Sequence, residues 1–276
     1  MTDRSVAIGT FDGVHLGHRR VIQAAKAANL PTTVLTFDPH PRVVLGNQVE
    51  LLTTLERRLE LLGEAGVETL VVPFTPELAL ATPEEFAESI LRPLGTKVVV
   101  AGANFRFGRG RSGDLDTLAE LGFDVRPVPL VEGISSSRIR QLLRAGEIEA
   151  AARLLGRPPE VEGTVVSGEA RGGTLGYPTA NLAVPAELVI PEYGIYAGRA
   201  GDHRAAISIG VNPHYGGEER RVEAFLLDFD GDLYGRRLVL ELWRRLRDER
   251  AFASEQELID QIGRDVEAAR AAEPPV

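Results

Sequence analysis

No cysteine occurs in the 276 residues, so the chain carries no disulfide framework, no thiolate nucleophile and no cysteine-ligated zinc or iron–sulfur centre. Lysine is almost as scarce. Only Lys26 and Lys97 stand among the 31 basic residues, neither follows a glycine, and no GxxxxGK[ST] phosphate loop can be written. Any ATP chemistry must then use backbone amides, hydroxyls, histidine or arginine. An excess of positive charge is missing too: 40 acidic residues leave a net charge of −9, which argues against nucleic acid as a partner. No apolar run approaches the ~20 residues of a membrane span, and no charged-then-apolar leader opens the chain, so a cytoplasmic protein with no membrane partner is expected.

The composition, 43% hydrophobic and 26% charged, is that of a folded protein. A single core rarely grows beyond ~250 residues, so this length suits two domains. The texture of the chain agrees. Short β-branched runs alternate with helical patterns up to about residue 155, which predicts a doubly wound parallel sheet with strands at 6–8, 32–37, 67–74, 97–101 and 123–130. Helices are expected at 19–28, 51–62, 82–91 and 141–155. Gly156-Arg157-Pro158-Pro159 stiffens an exit, and the boundary is placed there, giving domains 1–158 and 159–276. Beyond it come short β runs at 161–166, 195–199, 205–210, 222–229 and 237–242, the spacing of a small antiparallel barrel. Ser254-x-x-Glu257 then opens an amphipathic C-terminal helix.

Gly9-Thr10-Phe11-Asp12-Gly13-Val14-His15-Leu16-Gly17-His18 follows the first strand. A strand passing through a glycine turn into a helix start offers free N–H groups and partial positive charge to a phosphate. His15 and His18, three apart, share a face and can donate hydrogen bonds to charge building on phosphate oxygen. Alone, these residues equally fit glycines that shape a turn and histidines that cap a helix. Asp38-Pro39-His40-Pro41 leaves the second strand in a proline-stiffened loop. After the fourth strand, Asn104-Phe105-Arg106-Phe107-Gly108 combines arginine for phosphate with flat aromatic faces for a ring, or forms a solvated basic loop. Ser135-Ser136-Ser137-Arg138-Ile139-Arg140 opens a helix with hydroxyls and guanidinium groups suited to an anion, or with plain serine caps.

In the second half, Gly168, Arg171, Gly172 and Gly176 precede Tyr177-Pro178-Thr179-Ala180-Asn181. If this segment is extended, Thr179 and Asn181 point to one side and offer neutral, hard oxygens to a Mg²⁺ carried by nucleotide phosphates. A lone Thr-x-Asn is more often a turn. Glu223 lies in an apolar strand, where a carboxylate needs a partner.

The string GTFDGVHLGH resembles the HxGH signature of nucleotidyltransferases, in the form found in prokaryotic bifunctional riboflavin kinase/FAD synthetases. TFDPHP, NFRFGRGRSGD, ISSSRIR, LGYPTANL and LRDERAF are similar to further motifs of that family, in the same order. The resemblance implies ATP contacts at Gly9, Phe11, Asp12, Gly13, His15, His18, Ser135 to Ser137, Arg138 and Arg140. It puts the flavin at Asp38, His40, Asn104, Phe105, Arg106, Phe107 and Gly108. In the kinase half it implies nucleotide or flavin contacts at Gly168, Arg171, Gly172, Gly176, Pro178, Tyr196 and Arg247, Mg²⁺ at Thr179 and Asn181, and the catalytic base at Glu223. Two departures stand out: Ser137 replaces a usual threonine, and His214 stands where threonine commonly follows the proline. The implied activity is ATP-dependent phosphorylation of riboflavin to FMN, then adenylyl transfer to FMN giving FAD and pyrophosphate. A single-function adenylyltransferase and a non-catalytic flavin binder are the alternatives.

Overall fold

A computed structural model describes residues 2–167, 177–211 and 220–276, which fall into two compact units meeting in sequence at Ser136/Ser137. In the first, β1 (Arg4–Ile8), β2 (Thr32–Asp38), β3 (Glu68–Pro73), β4 (Thr96–Gly102) and β5 (Asp124–Val128) pair in parallel in the order β3-β2-β1-β4-β5. The chain winds outward on one side of β1, then returns to start on the other, so the crevice at the carboxyl end of β1 is where a ligand belongs. Both faces are buried. Val6, Ile8, Leu35 and Val99 point into one core with Phe86, Phe107 and Leu118, while Ala7, Val34, Val98 and Val100 point into the other with Val21, Ile22 and Leu62.

The helices of this unit are α1 (Leu16–Lys26), α2 (Pro41–Val44), α3 (Leu55–Glu64), α4 (Pro76–Leu80), α5 (Pro83–Phe86) and α6 (Leu115–Glu120). The expected helix over 51–62 starts later, at Leu55, with Thr54 as its N-cap, and the residues just before it are tied to the Asp12 carboxylate through the amides of Leu52 and Thr53. It also runs through Gly63. Thr82 and Glu85 form the full reciprocal cap of α5, after which the turns widen into a π segment over Ala87–Leu91. The expected single helix over 141–155 is two, α7 (Ser136–Arg144) and α8 (Ile148–Leu155), since Gly146 between them sits at φ +71.

In the second unit, β6 (Glu160–Val166), β7 (Ala180–Ala183), β8 (Gly194–Ala200), β9 (His203–Val211), β10 (Arg220–Leu226) and β11 (Arg237–Arg247) close an antiparallel barrel among the described residues, in the order β10-β7-β6-β11-β8-β9. Val161, Val165, Leu182, Ile207, Ile209, Val222, Ala224, Leu240 and Leu242 are its buried positions. The strand expected to reach residue 229 stops at Leu226, with Asp228 at φ +57 in the following turn. α9 (Glu255–Ala271) lies against β8 and β9. Its cap is half of the expected box: Ser254 accepts from Glu257 N–H, but the Glu257 carboxylate reaches the Ala253 amide instead of that of Ser254.

Two glycines predict opposite effects. At Gly198 an added Cβ would stand 1.9 Å from the Glu241 carbonyl oxygen, so Gly198→Ala should destabilise the barrel by about 2 kcal/mol or more. Gly63 is helical with open space around it, and Gly63→Ala should stabilise the first unit by about 0.5–1 kcal/mol. Urea unfolding followed in each unit checks both signs.

Candidate active sites

The turn after β1 is built from strained backbone. Phe11, Gly13 and Val14 all have positive φ, at 49, 82 and 39°. What holds it is Asp12, fully buried, whose Oδ1 accepts hydrogen bonds from the amides of Leu52 (2.8 Å) and Thr53 (3.3 Å). The Asp12 carbonyl accepts a third from Ser136 Oγ at 3.0 Å. A side chain at Gly13 would run into Leu52 at 2.6 Å. These contacts deliver His15 as the N-cap of α1, its Nδ1 accepting from the His18 amide at 3.3 Å.

The two imidazoles stack, centroids 3.6 Å apart and planes 14° from parallel, and the Phe11 ring lies 5.2 Å from His18, tilted by 56°. Gly17 makes room for this, because a Cβ there would lie 3.1 Å from the His15 ring. His18 Nδ1 is buried and meets no hydrogen-bond partner among the described residues. Burial first, then the neighbouring His15 and Arg58, hold the His18 imidazole well below its ordinary pKa of 6.5. His18 is therefore neutral near pH 7 and has one N–H to give.

β2 is the neighbour of β1 and delivers Asp38 and His40 beside this turn. The Asp38–Pro39 bond is cis, and buried His40 caps α2 by accepting from the Arg42 amide at 3.2 Å. Arg58 of α3, unmarked by any motif, joins the two loops: its guanidinium donates to the Thr10 carbonyl (2.9 Å), the Phe37 carbonyl (3.2 Å) and Asp38 Oδ1 (3.4 Å). Its signal in the sequence was an arginine inside the apolar stripe Leu55, Arg58, Leu61, Leu62.

β4, on the other side of β1, carries the third loop. It is pinned by the Phe107–Gly113 bridge and by the Arg109 amide on the Ala81 carbonyl. Phe107 belongs to the core and stacks on Phe105 at 5.6 Å, while Asn104 is exposed and Arg106 pairs with Asp114 at 2.5 Å. Gly108 has φ +72 and lies against Pro83. Ser135, Ser137 and Arg138 are exposed at the start of α7, and Arg140 is buried.

On the barrel, β7 lies between β6 and β10, so Asn181 sits opposite Glu223, and Ser208 of β9 opposes Glu223 from the other side. Residues 221, 223 and 225 alternate outward from the buried 222, 224 and 226. Glu223 is thus on the outer face of the wall, and both its oxygens are engaged: Thr179 Oγ1 donates to Oε2 at 3.2 Å, and Arg221 Nη1 donates to Oε1 at 2.9 Å. Tyr177 meets Phe225 edge-on at 5.3 Å. Glu249 packs against Gly210, where a Cβ would overlap its carboxylate. Burial pushes the Glu249 carboxyl up, Arg247 opposes this, and Glu223 adds to it.

Tyr196 is a core residue whose hydroxyl donates to the Glu192 carbonyl, and Arg247 forms a forked pair with buried Asp265 of α9 at 2.7–3.1 Å. Pro178 is exposed. Gly168, Arg171, Gly172, Gly176 and His214 lie outside the described residues. The described residues include no group of three His, Cys, Asp or Glu arranged to hold a metal.

The family model described as FAD synthetase matches residues 1–140, and the one described as riboflavin kinase matches 155–272. A Listeria monocytogenes protein named bifunctional riboflavin kinase/FMN adenylyltransferase is 37% identical, over 98% of this chain and 92% of its own. Proteins of the same name from Bacillus subtilis and Escherichia coli K12 are 35% and 37% identical, each over 96% of this chain and 90% or 91% of theirs. A Streptococcus pneumoniae crystal structure titled macrolide-efflux protein superposes with a TM-score of 0.88 at 33% identity, over 98% of this chain and 95% of that one. Among the described residues here, no helix is long and apolar enough to cross a membrane.

The His18 environment predicts a pH effect on stability. A lowered folded pKa means that the unfolded chain binds the proton first as pH falls below about 6.5. The first unit should lose stability on acidification from that point until the folded imidazole itself titrates. Urea midpoints measured from about pH 8 down to about pH 5 should fall, and the fall should be shallower in His18→Gln.

Proposed function

The chain belongs to the bifunctional riboflavin kinase/FMN adenylyltransferase family, and from that premise we propose how its residues divide the work. It is a transferase of flavin cofactor synthesis that phosphorylates riboflavin to FMN and adenylylates FMN to FAD. We assign the second step to residues 1–158 and the first to residues 159–276. The observation that carries the adenylyl assignment is the stacked His15–His18 pair at the carboxyl end of β1.

In that step an oxygen of the FMN phosphate attacks the α-phosphorus of ATP, the bond to the bridging oxygen breaks, and pyrophosphate leaves. Negative charge grows on the leaving oxygens. The histidine N–H groups, with the amides of the turn, donate to that charge and need no covalent intermediate. Gly9, Phe11, Asp12 and Gly13 shape the turn. Ser135 to Ser137, Arg138 and Arg140 are assigned to the ATP phosphates. Asp38, His40, Asn104, Phe105, Arg106, Phe107 and Gly108 make the flavin side; since Phe107 is in the core, Phe105 is the ring left to face the flavin.

In the kinase step the primary hydroxyl of riboflavin attacks the γ-phosphorus, its proton passes to the Glu223 carboxylate, and ADP leaves. Support comes from the hydrogen bonds to both Glu223 oxygens, which orient it. Thr179 and Asn181 supply neutral oxygen donors beside that carboxylate, a set that fits a Mg²⁺ arriving with ATP; bound there, the ion would offset phosphate charge. Pro178, Tyr196 and Arg247 shape the surroundings of this site. The net charge of −9 supports small-molecule partners (riboflavin, FMN and ATP) rather than nucleic acid, and we infer a cytoplasmic location.

Variants separate the two steps. With both His15 and His18 changed to Ala, FAD formation from supplied FMN should be lost while riboflavin is still converted to FMN. Glu223→Gln should lower kinase turnover about 10²–10⁴-fold and spare adenylylation of supplied FMN. Chromatographic assay of each variant from riboflavin and from FMN reads both outcomes. Full FAD synthesis in the double histidine variant would remove the pair from the mechanism.

Thr179→Ala and Asn181→Ala should behave differently from Glu223→Gln, with kinase activity partly restored by excess Mg²⁺ because a ligand rather than the proton acceptor is gone. A Mg²⁺ titration of kinase rate checks this.

A further inference from the structure

We propose that Arg58 is a positioning residue for adenylyl transfer, holding the two motif loops together and fixing His18 in the tautomer whose single proton is on Nε2. The proposal rests on the adenylyl reading of His15 and His18 above. Arg58 does not occupy the turn or either motif loop; it reaches them from α3, only 3% exposed. Its three acceptors belong to two loops: the Thr10 carbonyl beside the histidine turn, and the Phe37 carbonyl and Asp38 carboxylate at the end of β2. A buried cation with that reach fixes the spacing of the loops more firmly than a neutral side chain would, because charge-assisted bonds are the stronger ones.

A second observation links it to the chemistry. Arg58 Nε and His18 Nδ1 are both buried and both lack a hydrogen-bond partner among the described residues. One is a donor and the other is able to accept. His18 Nδ1 is enclosed with no acceptor among the described residues, so an N–H there would be a buried donor left unmade, and a bare lone pair is the less costly occupant; the Arg58 charge adds to the same bias against positive charge on His18. The proton is thereby left on Nε2. His15 is matched to it, because its Nδ1 already accepts from the His18 amide and its own donor must also be Nε2. The groups that bear on His18 are His15 from the same helix start, Phe11 from the turn and Arg58 from α3, while Asp12 and Asp38 bear on Arg58. Two Nε2–H donors side by side are what a departing pyrophosphate needs, and a histidine that had charged or switched tautomer would present a different pattern.

The test is long-range ¹H–¹⁵N NMR of the histidine rings in the full chain, with His18→Ala to assign the signal, run beside the pH profile of FAD formation from FMN. Wild-type His18 should be neutral with the proton on Nε2 near pH 7. In Arg58→Gln the Nδ1–H form should appear, and the acidic limb of kcat/KM should move up by about half to one pH unit. Arg58→Lys keeps the charge but not the fork, so it should retain the wild-type tautomer and limb while losing turnover several-fold. A wild-type His18 protonated on Nδ1, or an Arg58→Gln protein whose His18 signals and acidic limb do not move, overturns the proposal. Should Arg58→Gln not fold, the wild-type tautomer and the Arg58→Lys profile decide it, and an Nδ1–H signal in either contradicts it. Persistence of FAD synthesis without the two histidines would instead sink the adenylyl reading while leaving the NMR result standing.

Discussion

The turn that carries the stacked histidines depends on one buried carboxylate. Asp12 is out of water and its cost is met by two backbone amides from the segment before α3. Losing such a partner inside a protein costs about 1–3 kcal/mol or more for a charged acceptor. That interaction does two things at once. It stabilises a turn containing positive φ at Phe11, Gly13 and Val14, and it ties that turn to the segment leading into α3, from which Arg58 reaches both neighbouring loops. The stacked histidines are the outcome of that arrangement, because the same turn makes His15 the cap of α1 and Gly17 leaves its ring room.

The barrel reaches its site by a simpler rule. Strand alternation buries Val222, Ala224 and Leu226 and turns Arg221, Glu223 and Phe225 to the other face. Pairing of β10 with β7 then sets Asn181 opposite Glu223, and the two-residue period brings Thr179 to the same side, within 3.2 Å of the carboxylate. The Glu223 carboxylate, costly if it faced the barrel interior, is hydrogen-bonded on the outside. The first unit gathers its proposed site at loop ends and the second on a strand face. On that proposal, related phosphate chemistry is served by two unrelated architectures in one chain.

Much of this is legible in the sequence, since periodicity separates a parallel sheet from a barrel and the glycine, proline and histidine strings mark the loop ends. Most of what is not legible depends on how distant segments pack. The break at Gly146 depends on a positive φ and a fit against Arg245 that propensity does not contain, and α3 starts at the local cap Thr54 rather than at the first apolar residue of its pattern. Arg58 hid within a helical stripe as an arginine among leucines. Glu249 was visible as part of a motif, but its packing on Gly210 beside Glu223 exists only once the barrel closes. The burial of Phe107 against Phe86, which comes from a different part of the chain, is likewise not contained in the motif itself.

On the proposed assignment, one polypeptide carries out two successive phosphorus transfers at separate centres, each with its own leaving group. The direct measurement is a time course of the purified wild-type protein with riboflavin, ATP and Mg²⁺, resolving FMN, FAD, ADP and pyrophosphate. FMN should rise before FAD, ADP should equal the sum of FMN and FAD formed, and pyrophosphate should equal FAD alone. Pyrophosphate without FAD, or FAD appearing without ADP, would contradict the account.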